Sequence, residues 1–297
     1  MKRSELPLNP DGSIYHLAMR PDQAAPYCLL VGDPQRVELA RPFFSQILHE
    51  GQHREFRWIT GLYRGHLLSV IGTGIGPDNT EITLLELEAL HNIDLSRGIP
   101  FPTRKKLYFL RIGTSGLLQS RTPVGTVVFT DWAIGIDPLP FFYENFTDEA
   151  LSTAFQDYWA SRKRAKLPWY GVHSGPTFKA LAEKVSWEGH FVRGGTYSAP
   201  GFYGPQGRSL VGKVRHPDIP ALMADFSYQG QTIQNIEMEA AALLGLAKSL
   251  GHEAAALCLG IAQREEGTFG YTNGGPSLEE LMKRLLHLGL EWLCRVK

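Results

Sequence analysis

The segment GFYGPQGR, residues 201–208, contains three side chains suited to holding a flat, imide-like ring. The face of Phe202 accepts a planar heterocycle, and the amide of Gln206 offers two donors and one acceptor. The guanidinium of Arg208 adds a rigid fork of donors. The same composition also fits an exposed turn rich in glycine and proline, so the segment alone does not decide between a ligand site and a turn.

A charged residue, Arg111, lies within the apolar run 107–112. A charge is normally excluded from such a run unless it is paired or bound to an anion. The residues that follow, 113–116, are Gly-Thr-Ser-Gly, and they predict a loop with exposed backbone amides and two hydroxyls, as in phosphate-binding loops. The alternative is an internal ion pair with a structural carboxylate.

A second candidate phosphate turn contains Gly32, Asp33 and Arg36 and follows another apolar run. Because no GxxxxGK[ST] motif occurs, a nucleoside triphosphate is not indicated, and inorganic phosphate or a sugar phosphate fits better. The glycines of residues 72–76 have the wrong spacing for a dinucleotide fingerprint and favour a backbone turn that shapes a site.

Two carboxylates, Glu237 and Glu239, flank Met238 at the start of an apolar helical pattern. Acidic residues favour helix amino termini through the helix dipole, which is a sufficient structural explanation. A carboxylate beside methionine also suits a sugar, since the carboxylate accepts hydrogen bonds from hydroxyls and the thioether supplies an apolar floor. The histidines form no metal-binding spacing and no GxSxG motif occurs, so neither a metal site nor serine hydrolysis is predicted.

Apolar runs typical of buried strands alternate with helical patterns, which predicts an α/β protein. The strand-like runs cover residues 27–32, 66–72, 106–113, 125–130 and 254–262. Helices are predicted after Thr80, before Gly251, and over residues 147–166 and 278–295. The glycine-rich segments at strand ends are where α/β folds place their ligands.

The 297 residues contain 30 basic and 30 acidic side chains, so no charge field attracts nucleic acid or an anionic membrane. A small molecule is the expected partner. Three cysteines in no paired arrangement and the lack of an apolar leader or spanning segment predict a soluble, cytoplasmic protein. No linker or repeat divides the chain, and a single domain over residues 1–297 is expected.

Together these segments resemble the nucleoside phosphorylase superfamily, most closely its uridine phosphorylase branch. The resemblance covers residues 15–265, and its landmarks occur in the family order: YHL, GDPQR, HREF, TGIG, RIGTSG, FYGPQGR and NIEMEAA. It implies a phosphorylase/hydrolase-like α/β fold with a central mixed sheet, partly barrel-like and flanked by helices. It also implies reversible phosphorolysis of uridine to uracil and ribose 1-phosphate, with phosphate as substrate and no cofactor.

The resemblance assigns roles to individual residues. Those implied for phosphate are Gly32, Arg36, Arg54, Arg111 and Thr114. Those implied for ribose are His16, Thr114, Met238 and Glu239. Those implied for the base are Phe202, Gln206, Arg208 and Ile261. Arg208, Gln206 and Arg111 would be catalytic. Arg54 and His16 would act from a neighbouring subunit, which implies a homo-oligomer with shared active sites, either a dimer or a hexamer built of dimers.

Three other activities remain open: a purine nucleoside phosphorylase, a nucleoside hydrolase of the same superfamily, and a noncatalytic nucleoside-binding protein. The purine branch has an acidic residue near the positions of 261–263, and this chain has none there. The sequence does not separate uridine from deoxyuridine or thymidine. Residues 138–175 fit the family poorly, so no role is assigned to Phe141, Phe142 or Tyr143.

A departure from the family lies directly after TGIG. Well-known bacterial members have a second glycine, a proline and a serine there, whereas this chain has Pro77, Asp78 and Asn79. Some members bind a monovalent cation through this region and a glutamate that matches Glu55. The resemblance therefore does not decide whether a cation binds this chain.

Overall fold

The computed structural model describes residues 1–2, 4–270 and 276–296. In chain order, the strands are β1 (Tyr27–Val31), β2 (Gln46–His53), β3 (Phe56–Tyr63), β4 (His66–Gly72), β5 (Ile93–Asp94), β6 (Ile99–Pro100), β7 (Tyr108–Leu117), β8 (Val127–Gly135), β9 (Tyr170–His173), β10 (Phe191–Ser198), β11 (Ser227–Tyr228), β12 (Gln231–Glu237), β13 (Glu253–Gln263) and β14 (Thr268–Phe269).

The α-helices are α1 (Gln35–Ala40), α2 (Pro77–Asn92), α3 (Glu149–Ser161), α4 (Pro176–Glu183), α5 (Ile219–Asp225), α6 (Ala240–Ser249) and α7 (Leu278–Arg295). Local sequence sets several of their ends. Asp148 caps α3 by accepting the Leu151 N–H, and Ser277 forms a capping box with Glu280 at the start of α7. Gly251 has φ +75° directly after α6, the left-handed conformation that ends helices.

A mixed sheet forms the centre of the molecule, with strand order β11-β12-β10-β8-β13-β7-β1-β4-β3-β2. Strand β12 also pairs with β7, so β12, β10, β8, β13 and β7 close into a five-stranded ring. Parallel pairs join β1 to β4 and β7, whereas β2, β3 and β4 form an antiparallel meander. The predicted α/β fold with a mixed, partly barrel-like sheet is confirmed.

Helices cover both faces of the open part of the sheet, and β1 shows why. Its residues Cys28 and Leu30 pack into the cluster that contains the apolar faces of α2 and α6. The alternate residues, Leu29 and Val31, pack into the cluster that contains α7. A strand buried on both sides needs apolar residues at every position, which is the continuous run seen in the sequence.

The predicted strands and helices are all present, but two local predictions were wrong. Residues 113–116 are not a loop: they extend β7, and their backbone pairs with β13 in the register Gly113↔Cys258 to Gly116↔Ala262. Glu237 does not lie in a helix but ends β12, and α6 begins at Ala240. Among the described residues, no helix is both long and apolar enough to span a bilayer.

Candidate active site

A cavity of about 770 Å³ opens where the carboxyl ends of β1, β4, β7, β12 and β13 meet. It is lined by Gly32, Asp33, Pro34, Arg36, Glu55, Gly74, Ile75, Asn79, Arg111, Thr114, Ser115, Gly116, Phe202, Gln206, Arg208, Ile236, Glu237, Met238, Glu239, Ile261, Ala262 and Phe269. Ten predicted site residues therefore share one cavity, although Gly32 and Ile261 are 229 positions apart in the chain. Two predicted residues, His16 and Arg54, are not among its lining residues.

One part of the cavity contains two arginines, Arg36 and Arg111, which we call the arginine pair. Arg111 is 6% exposed, and its Nη2 donates to Oε2 of Glu239 at 2.5 Å. Burial opposes its charge, but attraction by Glu239 and Glu237 outweighs burial and raises the pKa of the guanidinium. The sequence left open whether Arg111 forms an internal ion pair or a ligand site. In the structure it forms the ion pair and also lines the cavity.

Arg36 is the partner of Arg111 in the pair and has no carboxylate of its own within ion-pair distance among the described residues. Burial and the positive charge of Arg111 lower the pKa of Arg36. A Cβ atom at Gly32 would lie 3.5 Å from Nη2 of Arg111, so the Gly32 backbone adjoins this guanidinium. Arg111 lies within ion-pair distance of Glu239 and Glu237, whereas Arg36 has no such partner in the described part of the chain, and its positive charge favours an anion.

The carboxylates that follow β12 have different partners. Glu239 accepts from the Gly76 N–H at 2.9 Å through Oε1, in addition to its bond with Arg111. Glu237 accepts the Ser198 hydroxyl at 2.5 Å and the N–H groups of Glu239 and Ala240 at the start of α6. Burial and the charge of Glu239 raise the pKa of Glu237 to about 7. The helix-terminus explanation from the sequence therefore describes Glu237, whereas Glu239 faces the arginine pair.

The other part of the cavity contains Phe202, Gln206 and Arg208, which we call the aromatic arm. It follows β10 and contains a short 3-10 helix, Gly204–Gln206. The Arg208 guanidinium stacks on the Phe202 ring at 3.9 Å, and its Nη1 donates to the Phe202 carbonyl at 2.6 Å and to Gln206 Oε1 at 2.5 Å.

These contacts show that residues 201–208 are folded against the cavity, and that Arg208 covers one face of Phe202. Gln206 is 3% exposed, so the segment is a folded part of the cavity wall and not only an exposed turn. Burial and the nearby Arg264 lower the pKa of Arg208 to about 10. One face of Phe202 is occupied by Arg208, so a planar ligand must use the other face or displace the guanidinium. Gln206 lines the cavity, and its Nε2 has no acceptor among the described residues, so it is available as a donor.

Arg264 does not line the cavity but supports its wall, a role that the sequence did not predict. Its Nη2 donates to the Gln206 carbonyl at 2.9 Å, and its stem packs against Gly116, where a Cβ atom would lie 3.1 Å away. Burial lowers its pKa. The sequence does show that Arg264 directly follows the apolar strand that ends at Gln263, but not that it contacts Gln206.

His16 and Arg54 both contact Tyr15. Arg54 Nη2 donates to the Tyr15 hydroxyl at 3.1 Å and stacks over its ring, and Arg54 has φ +53° at the β2–β3 turn. His16 Nδ1 lies 2.7 Å from Oε1 of Glu86, and His53 Nδ1 lies 3.0 Å from the His16 carbonyl. Their action across a subunit boundary stays a prediction.

The region that matches the cation site of some family members partly adjoins the cavity. Glu55 and Asn79 line it, and Asp78 lies beside Gly76. Within the described residues, no group of three or more His, Cys, Asp or Glu side chains is arranged to hold a metal ion. Whether a monovalent cation binds stays open.

Comparison with known proteins places this cavity in a protein class. Residues 26–285 match the model of the phosphorylase superfamily, so the chain belongs to this superfamily. It is 28% identical to a uridine phosphorylase of Thermococcus kodakarensis over 268 residues, which cover 90% of this chain and 83% of that protein.

A solved structure and a shorter relative extend the comparison. A Trypanosoma brucei nucleoside phosphorylase, reported to show uridine phosphorylase activity, has a TM-score of 0.83 and 28% identity, covering 98% of this chain and 100% of that one. A DeoD-type purine nucleoside phosphorylase of Geobacillus stearothermophilus is 30% identical over 114 residues, 38% of this chain and 43% of its own. Of these two relatives compared by sequence, the uridine phosphorylase matches 90% of the chain and the purine nucleoside phosphorylase 38%.

Proposed function

We propose that this chain is a uridine phosphorylase, which transfers the ribosyl group of uridine to inorganic phosphate and releases uracil. The proposal rests on one observation: a single cavity contains the arginine pair, a glutamate beside a methionine, and the aromatic arm. The similarity to uridine phosphorylases over most of the chain supports it. The products are uracil and ribose 1-phosphate.

Phosphate binds at the arginine pair in this proposal. Arg36 supplies an uncompensated positive charge, and Arg111, Thr114 and the Gly32 amide supply donors around the dianion. Fixing phosphate beside the sugar replaces much of a bimolecular encounter by positioning. A phosphate oxygen then forms a bond to C1' as the bond from C1' to the base nitrogen breaks, so no covalent enzyme intermediate is needed.

The ribose lies against Met238 and Glu239. Each oxygen of Glu239 already accepts one protein hydrogen bond, from Gly76 or from Arg111, and each keeps a lone pair for a sugar hydroxyl. The bond between Arg111 and Glu239 links the phosphate and sugar subsites directly. Loss of one hydroxyl leaves the remaining contacts intact, so deoxyuridine and thymidine are secondary candidate substrates.

The base lies against the aromatic arm, with Ile261 lining its pocket. Negative charge develops on the base as the glycosidic bond breaks, and Gln206 and Arg208 donate to it. Donors placed where charge develops contribute on the order of 3 kcal/mol each to lowering the barrier. The lack of an acidic residue at 261–263 favours a pyrimidine over a purine, whose departure needs a proton donor at the ring.

The subsites are completed by a neighbouring subunit in this proposal, with Arg54 reaching the phosphate and His16 the 5'-hydroxyl. Neither residue lines the cavity of its own chain, which supports this arrangement. The protein is then a dimer or a hexamer of dimers. A cytoplasmic location and independence from cofactors belong to the same proposal.

Phosphate dependence of uracil release tests the function. The protein is incubated with uridine or inosine, with and without inorganic phosphate, and free base is measured by chromatography. We expect uracil from uridine only when phosphate is present. Equal release without phosphate would identify a hydrolase, preferential release from inosine would identify a purine phosphorylase, and binding without release would identify a noncatalytic protein.

A further inference from the structure

Four polar side chains form a hydrogen-bonded chain across consecutive strands of the five-stranded ring. They are Thr130 on β8, Thr196 on β10, Asn235 on β12 and Ser115 on β7. The three contacts measure 2.7, 2.8 and 2.9 Å in that order. Thr130, Thr196 and Asn235 are fully buried, whereas Ser115 lines the cavity. We call these four residues the polar relay.

The relay has one favoured direction. In the observed arrangement Thr196 donates to Asn235 Oδ1, and Asn235 Nδ2 donates to Ser115 Oγ. A hydroxyl has only one hydrogen, so Thr130 must donate to Thr196. Reversing every bond would leave the Thr130 hydroxyl without an acceptor among the described residues, at a position with no solvent exposure. An unpaired donor is far more costly there than at the cavity wall.

This direction leaves the hydrogen of Ser115 as the free end of the relay. Ser115 Oγ accepts from Asn235, and no described side chain or carbonyl accepts its hydrogen. Because the side chain is 4% exposed and lines the cavity, the cavity is where its hydrogen finds an acceptor.

The neighbours of Ser115 identify the part of the substrate that it meets. Ser115 pairs with Gly260 in the β7–β13 ladder, next to Ile261. The following residue, Gly116, contacts the stem of Arg264, which holds the Gln206 carbonyl. The backbone at Ser115 therefore adjoins both Ile261 and the segment that supports the aromatic arm.

We propose that the polar relay fixes the Ser115 hydroxyl as a donor to a carbonyl oxygen of the bound pyrimidine. This inference rests on the proposed function and adds to it a donor that the aromatic arm does not supply. Thr130, Thr196 and Asn235 act as positioning residues, because they determine where the Ser115 hydrogen points without touching the substrate.

The test compares uridine, 2-thiouridine and 4-thiouridine, because sulfur is a weak hydrogen-bond acceptor. Ser115→Ala is expected to lower kcat/KM for uridine roughly 10- to 100-fold. For the analogue whose sulfur replaces the accepted oxygen, the loss is expected to be several-fold smaller, since that bond is already weak. Comparing variant with unmodified protein for each nucleoside cancels differences in leaving-group reactivity.

Two further variants separate positioning from general damage. Thr196→Val removes a relay hydroxyl outside the cavity, which lets Asn235 turn and accept the Ser115 hydrogen. It is expected to lower kcat/KM for uridine roughly 3- to 10-fold, again with a smaller loss for the same analogue. Ser174→Ala is the matched control: Ser174 is buried and donates to the Thr130 carbonyl at 2.5 Å, but it is not part of the relay. Its kinetics should match those of the unmodified protein.

The outcomes are distinguishable. If the unmodified protein releases no base from uridine with phosphate, the proposed function fails. If it does so but Ser115→Ala reduces all three nucleosides by the same factor, or none of them, the role of Ser115 is wrong. If Thr196→Val is folded and kinetically normal while Ser115→Ala is selective, Ser115 is a donor but the relay does not orient it, and the inference as stated is overturned.

Discussion

The arginine pair and the aromatic arm share one cavity but are supported in different ways. Arg111 comes from the middle of β7, is buried, and is paired with a carboxylate 128 positions away. Arg208 comes from an irregular segment after β10 and bonds to residues of that same segment, Phe202 and Gln206. Phe202 remains 49% exposed. Arg111 is thus fixed by the sheet, whereas the aromatic arm is stabilised mainly by contacts among its own residues.

This difference has a chemical consequence. Because Arg111 is held by a closed ring of strands, its charge needs little reorganisation when phosphate binds, which favours catalysis by preorganised electrostatics. The aromatic arm must exchange some of its internal bonds for bonds to the base, because Arg208 Nη1 and one face of Phe202 are engaged. Substitutions at the two regions should therefore differ in both size and kind of effect.

Replacement of Arg111 by methionine is expected to have the largest effect. It removes a phosphate donor and leaves Glu239 and Glu237 buried without their cation. We expect kcat/KM for uridine to fall by at least about 10³-fold, measured with saturating phosphate. Arg193→Met is the matched control, since Arg193 pairs with the buried Asp131 on the ring but does not line the cavity. If both variants lost activity equally, fold damage would explain the result.

Replacement of Arg208 by alanine is expected to have the next largest effect. Turnover should fall roughly 10²-fold because a donor to the departing base is lost, while KM for phosphate should change less than about threefold. Arg215→Ala serves as control, because Arg215 is an exposed arginine seven positions after Arg208. Near-normal turnover of the Arg208 variant would show that the aromatic arm does not bind the base.

Arg54 tests whether the arginine pair is completed by another subunit. Arg54→Ala should lower kcat/KM roughly 10-fold, although Arg54 does not line the cavity of its own chain. Arg64→Ala is a matched control, since Arg64 is another arginine with positive φ at the next turn.

Coexpression sharpens the test of shared sites. Mixed oligomers of Arg54→Ala and Arg208→Ala subunits contain one intact site for each pair of unlike subunits, so about one quarter of normal activity should return. Activity no higher than the average of the two separate variants would contradict the shared site.

The sequence predicted much of the fold but not all of its strands. The runs at β1 and β4 and the pattern at α7 agree closely with the structure because these elements show their burial directly in local periodicity. In contrast, β2 is polar and alternates in exposure along its length. Strand β10 contains Gly195, where a Cβ atom would lie 2.2 Å from Trp132. That constraint comes from a residue 63 positions away and leaves no local signal.

The candidate site likewise combines features that local sequence predicts with contacts that it does not. Motifs identified the residues that share the cavity, since glycine-rich ends of strands are local features. Two contacts could not be predicted from local sequence, because they depend on how distant strands come together. They are the pairing of Arg111 with Glu239 and the contact of Arg264 with Gln206. The assigned roles, the single domain and the oligomer stay predictions.

The smallest expected effect concerns the buried side of the cavity and depends on pH. The folded state raises the pKa of Glu237 from 4.5 to about 7, chiefly through burial and then through Glu239. Below about pH 4.5 the carboxyl holds its proton in both states. Between that pH and about 7 the unfolded chain loses the proton while the folded protein keeps it, so the free energy of unfolding decreases as pH rises.

Glu237→Gln should remove this dependence, because the neutral amide still accepts the backbone N–H groups at the start of α6 and the Ser198 hydroxyl can turn to accept from it. The melting temperature of the variant minus that of the unmodified protein should increase by a few degrees from pH 5 to pH 8, for a change of up to about 3 kcal/mol. Glu253→Gln is the control. Burial raises the pKa of Glu253, but pairing with Lys106 outweighs burial and leaves this pKa lowered, so the stability that Glu253 contributes is lost only towards acid pH. The difference in melting temperature between Glu253→Gln and the unmodified protein should therefore stay flat from pH 5 to pH 8. A flat difference for Glu237→Gln as well would mean that Glu237 is ionised throughout. The two carboxylates would then offset both charges of the arginine pair, and no net positive charge would remain there for phosphate.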